Sequence, residues 1–467
     1  MAGSRNGLRS FFEGLLLFFL ISLFLKLGTG SLEHPVMKFW YAGVLIVGFV
    51  SIGRIRQRWF ELRQSPSCIL FLSFMLFEVA RSLWGLLRLM QGNVGRVFAS
   101  ILRLYLISPI PWFFYIGFFV LSFFFFRGRK ELERLLWLLA WMGFVLSLTV
   151  IPPLLMTGNL GYGGVSGGGF FPSIVYFHPF VEKYLVSRYA HVNYVGDVIA
   201  LGFFPAAALL LYSLQRFVEA VKSGKDYDRP QLSMIGLQAL FMGATALAVI
   251  LLFSRGTIIS FAFGFLVFLL AALVKFFSRQ HILLLGLVFL VAGGFVVWAA
   301  NLQATWKEVA TSKKEVTGTQ EESSFSTNRE GAKRALAIYH DFPVWGVGHR
   351  GYARMSQQYA TPGKEKINPM SILEVSCHYL QILAEQGVGA YIYFVFLLVW
   401  ILEAGWLLFK TESRFQFIAA LSLSSYVLMI LVHAAIKPVM EYFAIATPVY
   451  LLMGATLASL RTDFVRS

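Results

Sequence analysis

The sequence predicts an all-α polytopic membrane protein of about 12 transmembrane helices, with a large loop on the outer face that contains short helices. Composition, the recurrence of apolar windows and the placement of basic residues each point there. Of 467 residues, 57% are hydrophobic and 14% charged, and the mean hydropathy is +0.68; that is too apolar for a soluble chain of this size. A hydrocarbon core takes about 20 apolar residues per helical span. Windows of that kind recur at 11–27, 36–53, 68–90, 105–126, 135–152, 194–215, 232–253, 257–275, 281–300, 386–409, 415–435 and 440–460.

The first window is followed by Lys26, Leu27 and Gly28, which is not a small-residue cleavage pattern, so 11–27 is expected to be a retained span. With the N-terminus inside, the inner connections carry Arg5 and Arg9, Arg54 to Arg63, Arg127 to Arg134, Arg216 to Arg229, Lys275 and Arg279, Lys410 and Arg414, and Arg461 and Arg466. Every inner connection is then basic, which places both termini in the cytoplasm. Arg81, Arg88, Arg96 and Arg103 run against this alternation, crowding the third-to-fourth connection on the outer side. The net charge of +16 is mostly a topology signal plus attraction to anionic headgroups of membrane lipid; nothing in it calls for nucleic acid. Cys68 and Cys377 fall on opposite sides in this topology and cannot pair.

Residues 1–300 hold the first nine windows, 301–385 the large outer loop and 386–467 the last three windows. A smaller outer loop, 153–193, contains the run GNLGYGGVSGGGFF. No strand precedes it and no Lys-Ser/Thr helix start follows, so it is a flexible aromatic-rich loop rather than a phosphate cradle. In the large loop, Asn328 is placed to cap a helix, Glu330 favours its first turn, and Ala332, Ala335, Leu336 and Tyr339 repeat at helical spacing. Pro343 stops it, Gly346-Val347-Gly348 makes a turn, and the helix is expected to lie against the outer membrane face. Seven of the eight histidines lie on or near the outer side and only His281 near the inner. None has metal-ligand spacing such as H-x-H or H-E-x-x-H, so no metal or cofactor is expected.

The stretch LLFSRGTII, residues 251–259, sets Arg255 at the outer end of the seventh window, with Gly256 and Thr257 as a break before the eighth. A guanidinium there is costly unless it faces a water-filled cavity or an anion, and its fixed fork suits bidentate phosphate recognition. The plain alternative is an anchor snorkelling to the headgroups. Glu78, Arg81 and Asp197 are further charges in or near spans, for which pairing between helices is expected. Aromatic residues mostly form interfacial belts; Trp345, beside the Gly turn, is the candidate sugar platform.

Three pieces stand in order: Ser254-Arg255-Gly256; Arg329 followed by Pro343-Val344-Trp345-Gly346-Val347-Gly348; and Tyr379-Leu380-Gln381-Ile382-Leu383-Ala384-Glu385-Gln386-Gly387-Val388-Gly389. Together they resemble the O-antigen ligase and polymerase superfamily of bacterial membrane glycosyltransferases. The resemblance implies a metal-independent transfer of glycan from an undecaprenyl-diphosphate carrier on the periplasmic face of the inner membrane. The acceptor is a sugar of the lipid A core in the ligases and another repeat unit in the polymerases. It further implies two arginines on the diphosphate, matched by Arg255 and by Arg188 in SRYAHVN, and a histidine that helps the acceptor hydroxyl attack.

That chemistry is physically coherent, because preorganised guanidiniums stabilise charge where it grows on the leaving group and a histidine can take the hydroxyl proton. The family's His-Asn-x-Tyr-Leu becomes Ser376, Cys377 and His378 before Tyr379 here. A two-residue shift turns a helical side chain by about 200°, so His378 serves as the base only if the backbone before Tyr379 is not yet helical; Glu374 is a second candidate. Arg329 and Arg334 are placed to contact glycan or phosphates, or else form a solvated helix face. A transporter also fits the helix count but would show repeated halves, which this sequence lacks, and a purely structural scaffold leaves Arg255 unexplained.

Overall fold

The computed structural model describes residues 59–91, 96–126, 128–157, 192–224, 229–252, 254–276, 324–359, 375, 377–441 and 443–461. These residues form helices α1 (Trp59–Arg63), α2 (Pro66–Met90), α3 (Arg96–Ile107), α4 (Pro109–Phe125), α5 (Arg129–Thr157), α6 (Val192–Lys222), α7 (Arg229–Leu251), α8 (Arg255–Phe276), α9 (Ser324–Asp341), α10 (Gly351–Met355), α11 (His378–Gln386), α12 (Gly389–Lys410), α13 (Arg414–Ala434) and α14 (Phe443–Arg461), with a 3₁₀ turn at Val439–Glu441. Nine of the twelve apolar windows coincide with described helices; 11–27, 36–53 and 281–300 lie outside the described residues. Seven stretches are long and apolar enough to cross a membrane: Pro66–Met90, Ile101–Phe125, Val195–Lys222, Gln231–Leu251, Gly256–Phe276, Gly389–Lys410 and Arg414–Ala434. The chain is thus a multi-pass helical membrane protein, while the count of about twelve spans extends beyond what is described.

Burial sorts these helices into centre and rim. α6 and α13 are mostly buried, whereas α2, α7, α8 and α12 leave most of their apolar surface uncovered. Leu76, Leu87, Leu240, Ile259, Val274, Leu402, Trp406 and Phe409 point outward, as expected of side chains that meet lipid rather than water. Along the seam of α2, α12 and α14, the Phe71 ring stacks on Phe396 at 4.5 Å and Tyr450 at 5.2 Å, and the buried Tyr393 and Tyr450 hydroxyls bond to each other at 2.9 Å. A second, smaller core lies at one end of the spans. It joins Ile101, Leu102 and Tyr105 of α3 to Ala335 and Ile338 of α9, Val347, Tyr352 and Met355 around α10, and Ala384 of α11.

α9 begins at Ser324, not after Asn328 as the sequence suggested, because polar residues tolerate a helix interior when the turn continues through them. It ends at Asp341, two residues before Pro343. Its apolar face packs on α11 and α10. Cys68 and Cys377 are both free.

At the end of the bundle remote from these outer elements, Glu403 of α12 gathers the start of α2. Its carboxylate accepts from Ser65 Oγ at 2.8 Å, from the Ser67 amide at 3.1 Å and from Arg461 Nη2 at 2.5 Å, while Arg461 also donates to the Gln64 carbonyl at 3.0 Å. A helix start leaves its first N–H groups unsatisfied, and an acid placed there satisfies them and complements the helix dipole. Glu403→Ala should cost about 1–3 kcal/mol by orphaning these donors, read as a lower melting temperature in detergent; an unchanged melt would show that the cluster carries no stability.

Candidate functional site

The two glycine motifs of the large loop form a single structural unit. Val347 N–H donates to the Ala384 carbonyl at 3.1 Å, Gly348 N–H to Glu385 at 2.9 Å, and Val388 N–H returns to Val344 at 3.2 Å. Residues 344–348 are therefore laced, main chain to main chain, onto the end of α11. The turn needs glycine at 346, where φ is +63° and an added Cβ would lie 2.4 Å from the Glu385 carbonyl carbon.

Arg81 of α2 fastens this unit to the membrane helices. One of its nitrogens, Nη1, donates to the Trp345 carbonyl at 3.1 Å and the Glu385 carbonyl at 2.9 Å. The other, Nη2, donates to Glu78 at 2.5 Å and to Ser108 Oγ, whose hydroxyl in turn donates to Glu78 at 2.9 Å. The His349 amide also donates to Ser108 Oγ at 3.2 Å. Arg81 and Glu78 are fully buried, so Arg81 is not a misplaced loop charge. The expected pairing exists, though within α2 rather than between helices. Trp345, the candidate sugar platform, rests its ring on Phe77 at 5.4 Å and Trp84 at 5.6 Å, both on α2, and so acts here as a further anchor.

α11 opens at His378 from an extended Cys377, φ −132° and ψ 118°, so the backbone before it is not helical. His378 is buried and its Nδ1 has no hydrogen-bond partner. His378, Gln381 and Glu385 stand at i, i+3 and i+7, one buried polar stripe on α11. Glu385 accepts from the Tyr352 amide at 3.3 Å and Gln381 Nε2 at 3.2 Å, and lies 3.7 Å from His349 Nδ1. Neither His349 nor Glu385 stood out in the sequence; the available signal was an acidic residue at an inward position of an otherwise apolar helix.

Arg255 is the first residue of α8. The break between spans falls before it, because Ser254 Oγ caps the helix by accepting from the Thr257 amide at 3.3 Å. Gly256 and Thr257 are therefore helical, contrary to the sequence expectation, and Arg255 begins the eighth window instead of ending the seventh. Only its backbone belongs to the described residues. The Asp197 carboxylate of α6 meets His433 Nδ1 of α13 at 2.8 Å, both fully buried, which is the expected pairing between helices. The Tyr379 hydroxyl donates to the Leu431 carbonyl of α13 at 2.6 Å, so the starts of α8 and α11 and the end of α13 share one end of the bundle.

Arg188 and Glu374 lie outside the described residues. Arg329 is exposed, whereas Arg334 is buried and hydrogen-bonded to the Tyr352 hydroxyl. Five residues of helix turn a side chain by about 140°, so these two arginines serve different surroundings rather than one solvated face. Among the described residues there is no group of three or more His, Cys, Asp or Glu placed to hold a metal ion.

Residues 240–395 match the family model described as O-antigen ligase. That stretch belongs to the O-antigen ligase family. It runs from α7 into α12 and takes in Arg255, the glycine turn and α11, and the match supports a function of the O-antigen ligase or polymerase type. No curated protein matches the chain. Within this O-antigen ligase stretch the motifs are joined by contacts to residues outside it, namely Glu78, Arg81, Ser108, Asp197 and His433.

Burial pushes the Glu385 carboxyl up to about 7, against opposing hydrogen bonds from the Arg350 and Tyr352 backbones and Gln381. Burial pulls His378 down to about 3, and His349 likewise to about 3, with the charges of Arg350, Arg81 and His378 adding to the effect. On acidification from neutral pH the unfolded chain protonates both histidines near their ordinary value of about 6.5, while of these three groups the folded chain protonates only Glu385. Stability therefore falls as pH drops, and Glu385 uptake offsets part of the fall. Glu385→Gln should retain the acceptor oxygen yet steepen the loss of melting temperature between about pH 7 and pH 5; parallel curves for variant and parent would contradict the assignment.

Proposed function

We propose that the protein is an O-antigen ligase-like glycosyltransferase of the bacterial inner membrane. It moves a glycan from an undecaprenyl-diphosphate carrier to a sugar of the lipid A core at the periplasmic face. The observation that carries this reading is the convergence, at one end of the bundle, of the first turn of α8 with Arg255 and the first residue of α11, His378. The family match over the same elements supports it.

In this mechanism the acceptor hydroxyl gives its proton to His378 as its oxygen attacks the anomeric carbon. The bond from that carbon to the phosphate oxygen breaks, and the diphosphate leaves carrying the electron pair. Arg255 and Arg188 neutralise the charge as it grows, which supplies what a metal would otherwise supply. Desolvation holds His378 neutral and lowers its basicity, so its unprotonated ring needs a nearby anion before it takes the proton. A diphosphate nearby favours the imidazolium and raises its basicity at the moment of transfer. Arg329 and Glu374 are assigned to contact the glycan or its phosphates, whereas Arg334 is engaged with the Tyr352 hydroxyl.

Arg255→Lys should lower transfer by about 10²- to 10³-fold in protein that still inserts and folds, since an ammonium does not reproduce the fork. His378→Ala should slow it by about 10²- to 10⁴-fold, whereas a twofold loss would remove that residue from proton transfer. A chelator should leave the purified rate unchanged. Deleting the gene and resolving lipopolysaccharide on a gel decides the acceptor. Bare core with polymer stranded on the carrier is the expected outcome; core bearing one repeat would make the protein a polymerase of the same superfamily, and an intact ladder would assign it to exopolysaccharide.

A further inference from the structure

At the first turn of α8, three helices meet through polar groups that the bilayer makes expensive. His433 Nδ1 of α13 lies 2.8 Å from both carboxylate oxygens of Asp197 on α6, and the Thr257 hydroxyl of α8 bonds to the same carboxylate. Two glycines permit the approach. A Cβ at Gly256 would stand 2.6 Å from His433 Nε2, and one at Gly196 would stand 2.8 Å from the Thr257 methyl. Among the described residues Nε2 has no hydrogen-bond partner, and that side of the ring stands as a wall against the α8 backbone. Ser254 closes the turn from the chain side.

These contacts constrain different motions. The Thr257–Asp197 bond sets α8 along its axis, and the His433 ring against Gly256 sets its distance from α13. The backbone between them is that of the residue following Arg255. Apolar side chains of similar size would hold three helices together at no greater cost, and buried ionisable residues in a membrane protein mark function by default. Asp197 and His433 lie outside the matched stretch, at positions 197 and 433. What places them together is the turn that carries Arg255.

We propose that the Asp197–His433 pair is a positioning device for Arg255, fixing the start of α8 so that the guanidinium is presented to the departing diphosphate. This rests on the reading that Arg255 acts on that leaving group. His433 and Asp197 do not touch substrate; they act through the α8 backbone, where a misplacement of about 1 Å can cost about 10²-fold in rate.

The test is a double-mutant cycle on the full-length chain in nanodiscs. An undecaprenyl-diphosphate-linked repeat serves as donor, with either rough lipopolysaccharide or a second repeat as acceptor. His433→Phe keeps the ring and its packing but severs the link to Asp197. It should lower kcat by about 10- to 100-fold with donor KM changed by less than about threefold, the pattern of a contact used in the transition state. In that background Arg255→Lys should cost no more than about threefold further, because the arginine is already misplaced.

His433→Asn presents an amide N–H in place of Nδ1–H and should stay within about threefold of the parent. Gly256→Ala should lose about tenfold or more, and combining it with His433→Asn should restore the rate by making room for the new methyl. These two variants decide the matter if His433→Phe does not accumulate in the membrane. Folded His433→Phe with unchanged kcat, losses that multiply across the cycle, or no recovery in the double variant would overturn the positioning role. Full activity of Arg255→Lys in an otherwise native chain would instead sink the reading of Arg255 itself.

Discussion

Among the described residues, the attachment of the glycine-rich unit to the membrane helices depends on one buried guanidinium. Arg81 is fully buried, and a charge so placed is tolerated only when it is paired and hydrogen-bonded, as both terminal nitrogens here are. Four of its bonds reach Glu78, Ser108 and the carbonyls of Trp345 and Glu385. The two carbonyls come from the two halves of the glycine-rich unit, so one side chain in α2 holds both halves against the bundle. The Trp345 ring on Phe77 and Trp84, and the small core around Tyr105 and Tyr352, spread that attachment over a wider area.

From this anchor follows the arrangement of the candidate chemistry. With the turn fixed, α11 must start beside α13, where Tyr379 bonds to the Leu431 carbonyl. His378 then lies at the end of the bundle where α8 begins with Arg255. The matched O-antigen ligase stretch supplies the helix starts and the turn. The partners that orient them, Arg81 from the early helices and Asp197 and His433 from the centre, come from elsewhere in the chain.

The spans were legible because a 20-residue apolar window needs no partner to be recognised. The helix from Pro66 and the one from Gly389 begin within a few residues of where hydropathy alone would start them. Legibility failed where a local hydrogen bond or a distant residue decides. The Ser254 cap sets the helix start ahead of Gly256, whereas a glycine after an arginine reads as a break by composition alone. The purpose of Arg81 was hidden because its acceptors are 264 and 304 residues away in sequence, and Asp197 and His433 are 236 apart. Arg329 and Arg334 were treated together from their spacing, although five residues carry them around to different sides of α9.

The glycine unit is gripped almost wholly through amides and carbonyls. Such a grip places little demand on which side chains project from it, and the Val344 side chain, which faces outward, takes no part in the lacing described. The scaffold that presents the turn is therefore separable from the surface it displays. Outer-facing positions there can be exchanged without loosening the frame, so the displayed surface is able to vary while its placement on the bundle is kept.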